Sequence, residues 1–123
     1  MKLIYAVIIF LIVGGAKNNM SDIPGHAYLN ASGVYNGVEE NVLLNNYGQP
    51  AYEFIKPRYK FVGEYYIKIE NTYRSTNPEF RNIPIKEIFW HLPGDLNLTC
   101  FFHYKDGQWR VISYFFWPPG AKF

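Results

Sequence analysis

Three histidines, a single cysteine and ten carboxylates are the side chains of this chain that could carry acid–base, nucleophilic or metal chemistry. Such chemistry needs two or more of them within a few ångströms of one another. Their spacing argues against it. His91 and His103 fall on adjacent predicted strands, about six residues of strand apart, or roughly 20 Å at ~3.3 Å per residue. His26 lies in a polar N-terminal stretch with nothing to hold it near either. Cys100 and His103 are three apart on one strand, so their side chains leave opposite faces and cannot form a nucleophile–base pair. Cys100 reads instead as a small buried hydrophobe. A hydrolase would need carboxylates such as Glu64, Glu70, Glu87 and Asp95 to converge with His91, and no spacing in the chain demands that. Nor does a glycine-rich turn open a helix to cradle phosphate. The expectation is a non-enzymatic protein without cofactor or metal; a small hydrolase using carboxylates and His91 is the alternative of another class.

Aromatic residues make up 20 % of the chain, which suits a core without disulfides, and their placement raises the question of binding. The C-terminal third is predicted to place Phe89, His91, Asn97, Thr99, Phe101, His103, Arg110, Ile112, Tyr114 and Phe116 on one sheet face. A solvated face would be more polar. Either residues 51–63 or the N-terminal arm fold over it, or it is a contact surface, since aromatic residues and arginine are enriched at interfaces. In the second case Phe101, Arg110, Ile112, Tyr114 and Phe116 are the partner-binding residues. Nucleic acid could stack on the same rings, but the charge balance argues against it.

The elements that position these residues begin with two turns. Asp106-Gly107 between alternating apolar runs signals a hairpin, because a type I′ turn needs positive φ at both central residues. It pairs Tyr104 with Trp109, Phe102 with Val111, Cys100 with Ser113 and Leu98 with Phe115. A three-residue loop at Pro93-Gly94-Asp95 pairs Trp90 with Leu98 and Ile88 with Cys100; a two-residue loop would bring Glu87 beside Cys100 on the apolar face. Upstream, Asn36 as N-cap, Glu39 in the capping-box position, and Val38, Val42, Leu43, Leu44 and Tyr47 at helical spacing predict a helix over 37–47. Gly48 and Pro50 stop it. Residues 64–74 alternate, with Tyr65, Ile67, Ile69 and Tyr73 on one side and charges on the other, and predict a half-buried strand. Residues 51–63 read as a strand broken at Pro57. The fold class is α+β, one short helix packed on a four-stranded antiparallel β-meander in two layers.

At 123 residues the chain is expected to hold one domain, residues 36–123, behind a mobile arm over 17–35. Met1-Lys2, the apolar run from Leu3 to Val13 and Gly14-Gly15-Ala16 have the order of a cleaved signal peptide over residues 1–16. The apolar run is short of the roughly 20 residues of a membrane span, and a retained N-terminal anchor is the alternative. The expected location is therefore periplasmic or secreted. Loss of Lys2 leaves eleven basic residues against ten acidic ones, too balanced for a nucleic-acid footprint. With one cysteine, stability must come from the core alone.

Gly37-Val38-Glu39-Glu40-Asn41-Val42-Leu43, running to Tyr47-Gly48-Gln49-Pro50, and then Ile88-Phe89-Trp90 with a glycine-turn hairpin, resemble the SmpA/OmlA family of small outer-membrane-assembly proteins. The likeness covers roughly residues 36–50 and 88–112. It implies a helix-on-sheet envelope module acting through protein contacts. The chain departs from that pattern in lacking a lipid-attachment cysteine and in reading as one helix and four strands, not two helices and three strands. The expected function is exported protein binding through the aromatic face, with an inhibitor or immunity protein against a toxin or hydrolase as the alternative.

Overall fold

The computed structural model describes residues 34–123; the expected signal peptide over 1–16, His26 and most of the expected arm over 17–35 lie outside them. The order is α1 (Glu40–Tyr47), β1 (Tyr52–Pro57), β2 (Pro84–Leu92), β3 (Leu96–Lys105) and β4 (Gln108–Trp117). The strands form one open antiparallel sheet in chain order. Helix and four-stranded sheet are as the sequence predicts, but three of the segments differ.

The first difference is the identity of the edge strand. Residues 52–57 pair with β2, from Tyr52–Phe89 to Pro57–Pro84. Prolines close the ladder at that end, where a missing N–H costs least. Residues 64–74, read as a strand, instead form a 3₁₀ helix over Glu64–Ile69 followed by turns. The alternation is real, yet a second period fits the same residues: Tyr66, Ile69 and Tyr73 recur at three and four. Gly63 at φ 105° starts the 3₁₀ turn. Ile69 is then fully buried, while Ile67, its partner in the alternating pattern, is turned outward.

The second difference is a bulge in β4. The Asp106-Gly107 turn forms with φ 56° and 78°, and Tyr104–Trp109 and Phe102–Val111 pair as predicted. Ile112 is then an extra residue, and the ladder resumes as Phe101–Ser113, Cys100–Tyr114 and Leu98–Phe116. Beyond residue 112 the two faces of β4 are therefore exchanged. The three-residue loop at Pro93-Gly94-Asp95 sets Trp90 against Leu98 and Ile88 against Cys100, as expected.

Helix α1 is a turn shorter than predicted. Gly37 and Val38 exchange backbone hydrogen bonds with Val111, and Glu39 bridges to Arg110, so this stretch covers the outer side of β4 and cannot be helical. Asn36 is not the cap; Glu39 stands there in an extended conformation. The C-terminus is as predicted, with Gly48 at φ 79°. Of the expected stripe, Leu43 is buried and Val38, Leu44 and Tyr47 are half-buried against the sheet, whereas Val42 faces out. The Trp90 indole N–H donates to the Gly48 carbonyl (2.9 Å), and Lys86 pairs with Glu40 (2.8 Å), so both ends of α1 are tied to β2.

Each sheet face has its own core. Leu43 lies on Ile88, Trp90, Leu98, Cys100, Phe102, Val111, Tyr114 and Phe116 on the helix side. On the other side Phe61, Ile69, Ile85, Phe101 and Ile112 are sealed by Phe54, Tyr65, Tyr66, Tyr73, Ile83 and Phe115. The long β1–β2 connection, residues 58–83, supplies most of that seal. Arg58 anchors it from within: Nε donates to Tyr73 O (2.7 Å), Nη1 to Phe61 O (2.9 Å) and Nη2 to Glu70 Oε2 (2.9 Å).

Candidate functional site

The five residues expected to bind a partner do not form a surface. Phe101 is fully buried and Ile112 nearly so, both beneath residues 58–83. The bulge sends Tyr114 and Phe116 to the opposite face, under α1. Arg110 is half-buried and committed locally, donating to Gly37 O (3.2 Å) and lying 3.7 Å from Glu39. The apolar second face is thus interior, as the structural explanation of its composition required. Its cover extends well past residue 63, because the segment read as a strand is part of it. The arm's described end is also docked: Tyr35 bonds Tyr47 through the two hydroxyls (2.9 Å) and packs on Tyr114.

The titratable candidates are dispersed. His91 Nδ1 bonds Asn97 Oδ1 (2.7 Å), and His103 Nδ1 bonds the Tyr73 hydroxyl (2.6 Å). Burial, then the charges of Lys105 and Arg110, hold the His103 pKa below its ordinary value. Glu87 and His91 are four residues apart on β2, about 13 Å. Glu64 and Asp95 are exposed, and Asp95 sits in the 93–95 turn. Among the described residues no three His, Cys, Asp or Glu side chains come close enough to share a metal ion. Cys100 is buried, and desolvation pushes its thiol well up in pKa.

Glu87 is the most unusual of these groups. Its position on the second face follows from the three-residue loop; its burial follows from the cover above it. The Tyr52 hydroxyl donates to Glu87 Oε2 (2.9 Å), while Oε1 is buried without a hydrogen bond. Desolvation raises the carboxyl pKa against the opposing effects of Tyr52, Tyr66 and Lys56. Nearby, the Tyr65 and Thr99 hydroxyls bond each other, and Trp117 Nε1 donates to Thr99 (3.0 Å). This small polar network is enclosed between sheet and cover.

A groove of about 430 Å³ opens on the outer side of that cover. Arg58, Tyr59, Phe61 and Val62 form one wall, and Ser75 to Pro78 with Arg81 form the other. Asn77 builds the second wall by capping the Pro78–Phe80 turn, its Oδ1 accepting from Glu79 N (2.9 Å). Arg58 is neutralised by Glu70, whose pKa is lowered by hydrogen bonds from Ser75 and then by Arg58 itself. The Arg81 guanidinium lies over the Tyr59 ring at 4.3 Å. Val62, in the groove's lining, is 74 % exposed, and Ile67, further along the same connection, is 60 % exposed. Sequence patterning passed over these residues because they sit in segments read as a broken strand and a polar connector. The clustering of Arg58, Tyr59, Lys60 and Val62 beside Pro57 was the only hint.

Comparison of the chain with protein-family models, with curated proteins and with solved structures finds no match.

Proposed function

We propose that this chain is a non-enzymatic exported binding domain whose partner is another protein, and that contact is made by the outer side of residues 58–81. The observation that carries this reading is the distribution of exposed apolar groups. Both sheet faces are filled, so their aromatic residues serve folding. Tyr59, Val62 and Ile67 nevertheless stand out to solvent within one connection, and Tyr59 and Val62 line the groove. Isolated exposed apolar residues need no explanation, whereas several grouped around a concave, arginine-bearing surface suit a protein contact. The signal-like residues 1–16 support an exported setting.

The test is quantitative co-purification from the native envelope, comparing the unaltered chain with Val62→Asp/Ile67→Asp. Both side chains are exposed, so the variant should keep its Tm within a degree or two. Loss of the specifically enriched partner at unchanged Tm is expected; an unchanged set of partners would overturn the reading. The identity of that partner also separates an assembly component from a toxin or hydrolase under inhibition.

A further inference from the structure

We infer that the groove between residues 58–62 and 75–81 takes an extended acidic segment of the partner protein, with a carboxylate seated on Arg81 and an apolar side chain against Val62. This rests on the binding reading above and names the chemistry of the occupant. Arg81 is exposed, and its side chain makes no hydrogen bond or ion pair among the described residues. The cation–π contact with Tyr59, Cζ 4.3 Å from the ring centroid, restrains the guanidinium. The in-plane N–H donors remain at the edge, which is the geometry a carboxylate accepts in bidentate fashion.

Charge around the groove favours the same occupant. None of its lining residues is acidic, and the Lys60 ammonium lies 5.5 Å from the same Tyr59 ring. The one other cation in the lining, Arg58, is already balanced by Glu70. Residues 56–81 hold six basic side chains against three acidic ones, although the whole chain carries only +2. A free anion would satisfy Arg81 but leave the exposed Val62 side chain wet. A neutral apolar peptide would cover that side chain and leave the cation unmatched. An acidic chain with interspersed apolar residues answers both, and the hydroxyl of the exposed Thr76 can bond its backbone.

The probe is a fluorescein-labelled, C-amidated decapeptide alternating Glu and Leu, titrated with the full chain by fluorescence polarisation. Two control peptides replace Glu by Gln or Leu by Ser, and inorganic phosphate is the competitor. The Glu–Leu peptide is expected to bind at least about tenfold more tightly than either control, a difference typical of one charge-assisted pair or one buried side chain. Arg81→Gln should weaken it about tenfold at unchanged Tm, and Arg81→Lys should recover only part, since an ammonium lacks the planar fork. Equal binding of the Glu–Leu and Gln–Leu peptides, or no effect of Arg81→Gln, would overturn the inference. So would full displacement by phosphate at the peptide's own Kd, which would mark a general anion site. If Val62→Asp/Ile67→Asp loses the native partner while Arg81→Gln leaves peptide affinity unchanged, only the acidic-segment inference fails. If both variants keep the native partner, the binding reading falls as well.

Discussion

Glu87 shows how one residue's role depends on what closes over it. On a solvated face it would be an ordinary strand carboxylate; here it is 1 % exposed and its pKa is raised by burial. A carboxyl with a folded pKa above its unfolded value binds more protons in the native state. Its favourable contribution is complete below the unfolded pKa of about 4.3 and is lost as pH rises through the folded pKa. His103 works in the other direction: held neutral by burial, it supports the fold above about pH 6.5 and loses that support as pH falls. Glu87→Gln, which keeps an acceptor for the Tyr52 hydroxyl, should therefore raise Tm at pH 7 and leave it unchanged at pH 4. Thermal melts from pH 4 to 8, on this variant and on His103→Asn, separate the two slopes. A lower Tm for Glu87→Gln at pH 7 would mean that the carboxylate is the stabilised form. The face on which Glu87 lies was legible from loop length. Its burial was not, because the covering segment was read as part of the sheet.

The element that decides the architecture is the 58–83 connection, and Arg58 is its internal brace. The guanidinium makes three charge-assisted hydrogen bonds, two to backbone carbonyls of the connection and one to the partly exposed Glu70 carboxylate. Arg58→Met keeps much of the volume but orphans the Tyr73 and Phe61 carbonyls. Chemical denaturation should then show a loss of roughly 2–4 kcal/mol. A change below about 0.5 kcal/mol would show that the brace is incidental. The turns, the β2–β3 register and the helix stop were readable because each is fixed by glycine chemistry or by a single apolar face. Two features escaped. Between Val111 and Trp117 strand β4 is apolar on both sides, apart from Ser113, so hydrophobic pattern cannot choose its parity and the bulge leaves no signature. Residues 64–74 satisfy periods of two and of about three and a half at once, and the long-range packing of Ile69 settles the choice.

At the scale of the molecule, a sheet with both faces buried explains a 20 % aromatic content without assigning those rings to a partner. Helix α1 closes one side, and the connection closes the other by presenting Phe61, Tyr65, Tyr66, Ile69 and Tyr73 inward. What the connection presents outward is therefore the surface on which we propose partner contact. The resemblance drawn from residues 36–50 and 88–112 rests on a helix stop and a hairpin, and neither belongs to that outer surface. The candidate contact residues lay in the stretch where local signals were weakest, which is why sequence reading placed binding on the sheet.

Thiol modification in a Cys100→Ala background measures this arrangement directly. With Val62→Cys or Ile112→Cys introduced singly, reaction with a soluble thiol reagent reports whether each position meets water in the native state. Val62→Cys should react at close to the rate of an unstructured peptide, and Ile112→Cys at least about 100-fold more slowly, through transient opening alone. Comparable rates at the two positions, with both variants folded, would mean that the second face is open and that the connection is not its cover.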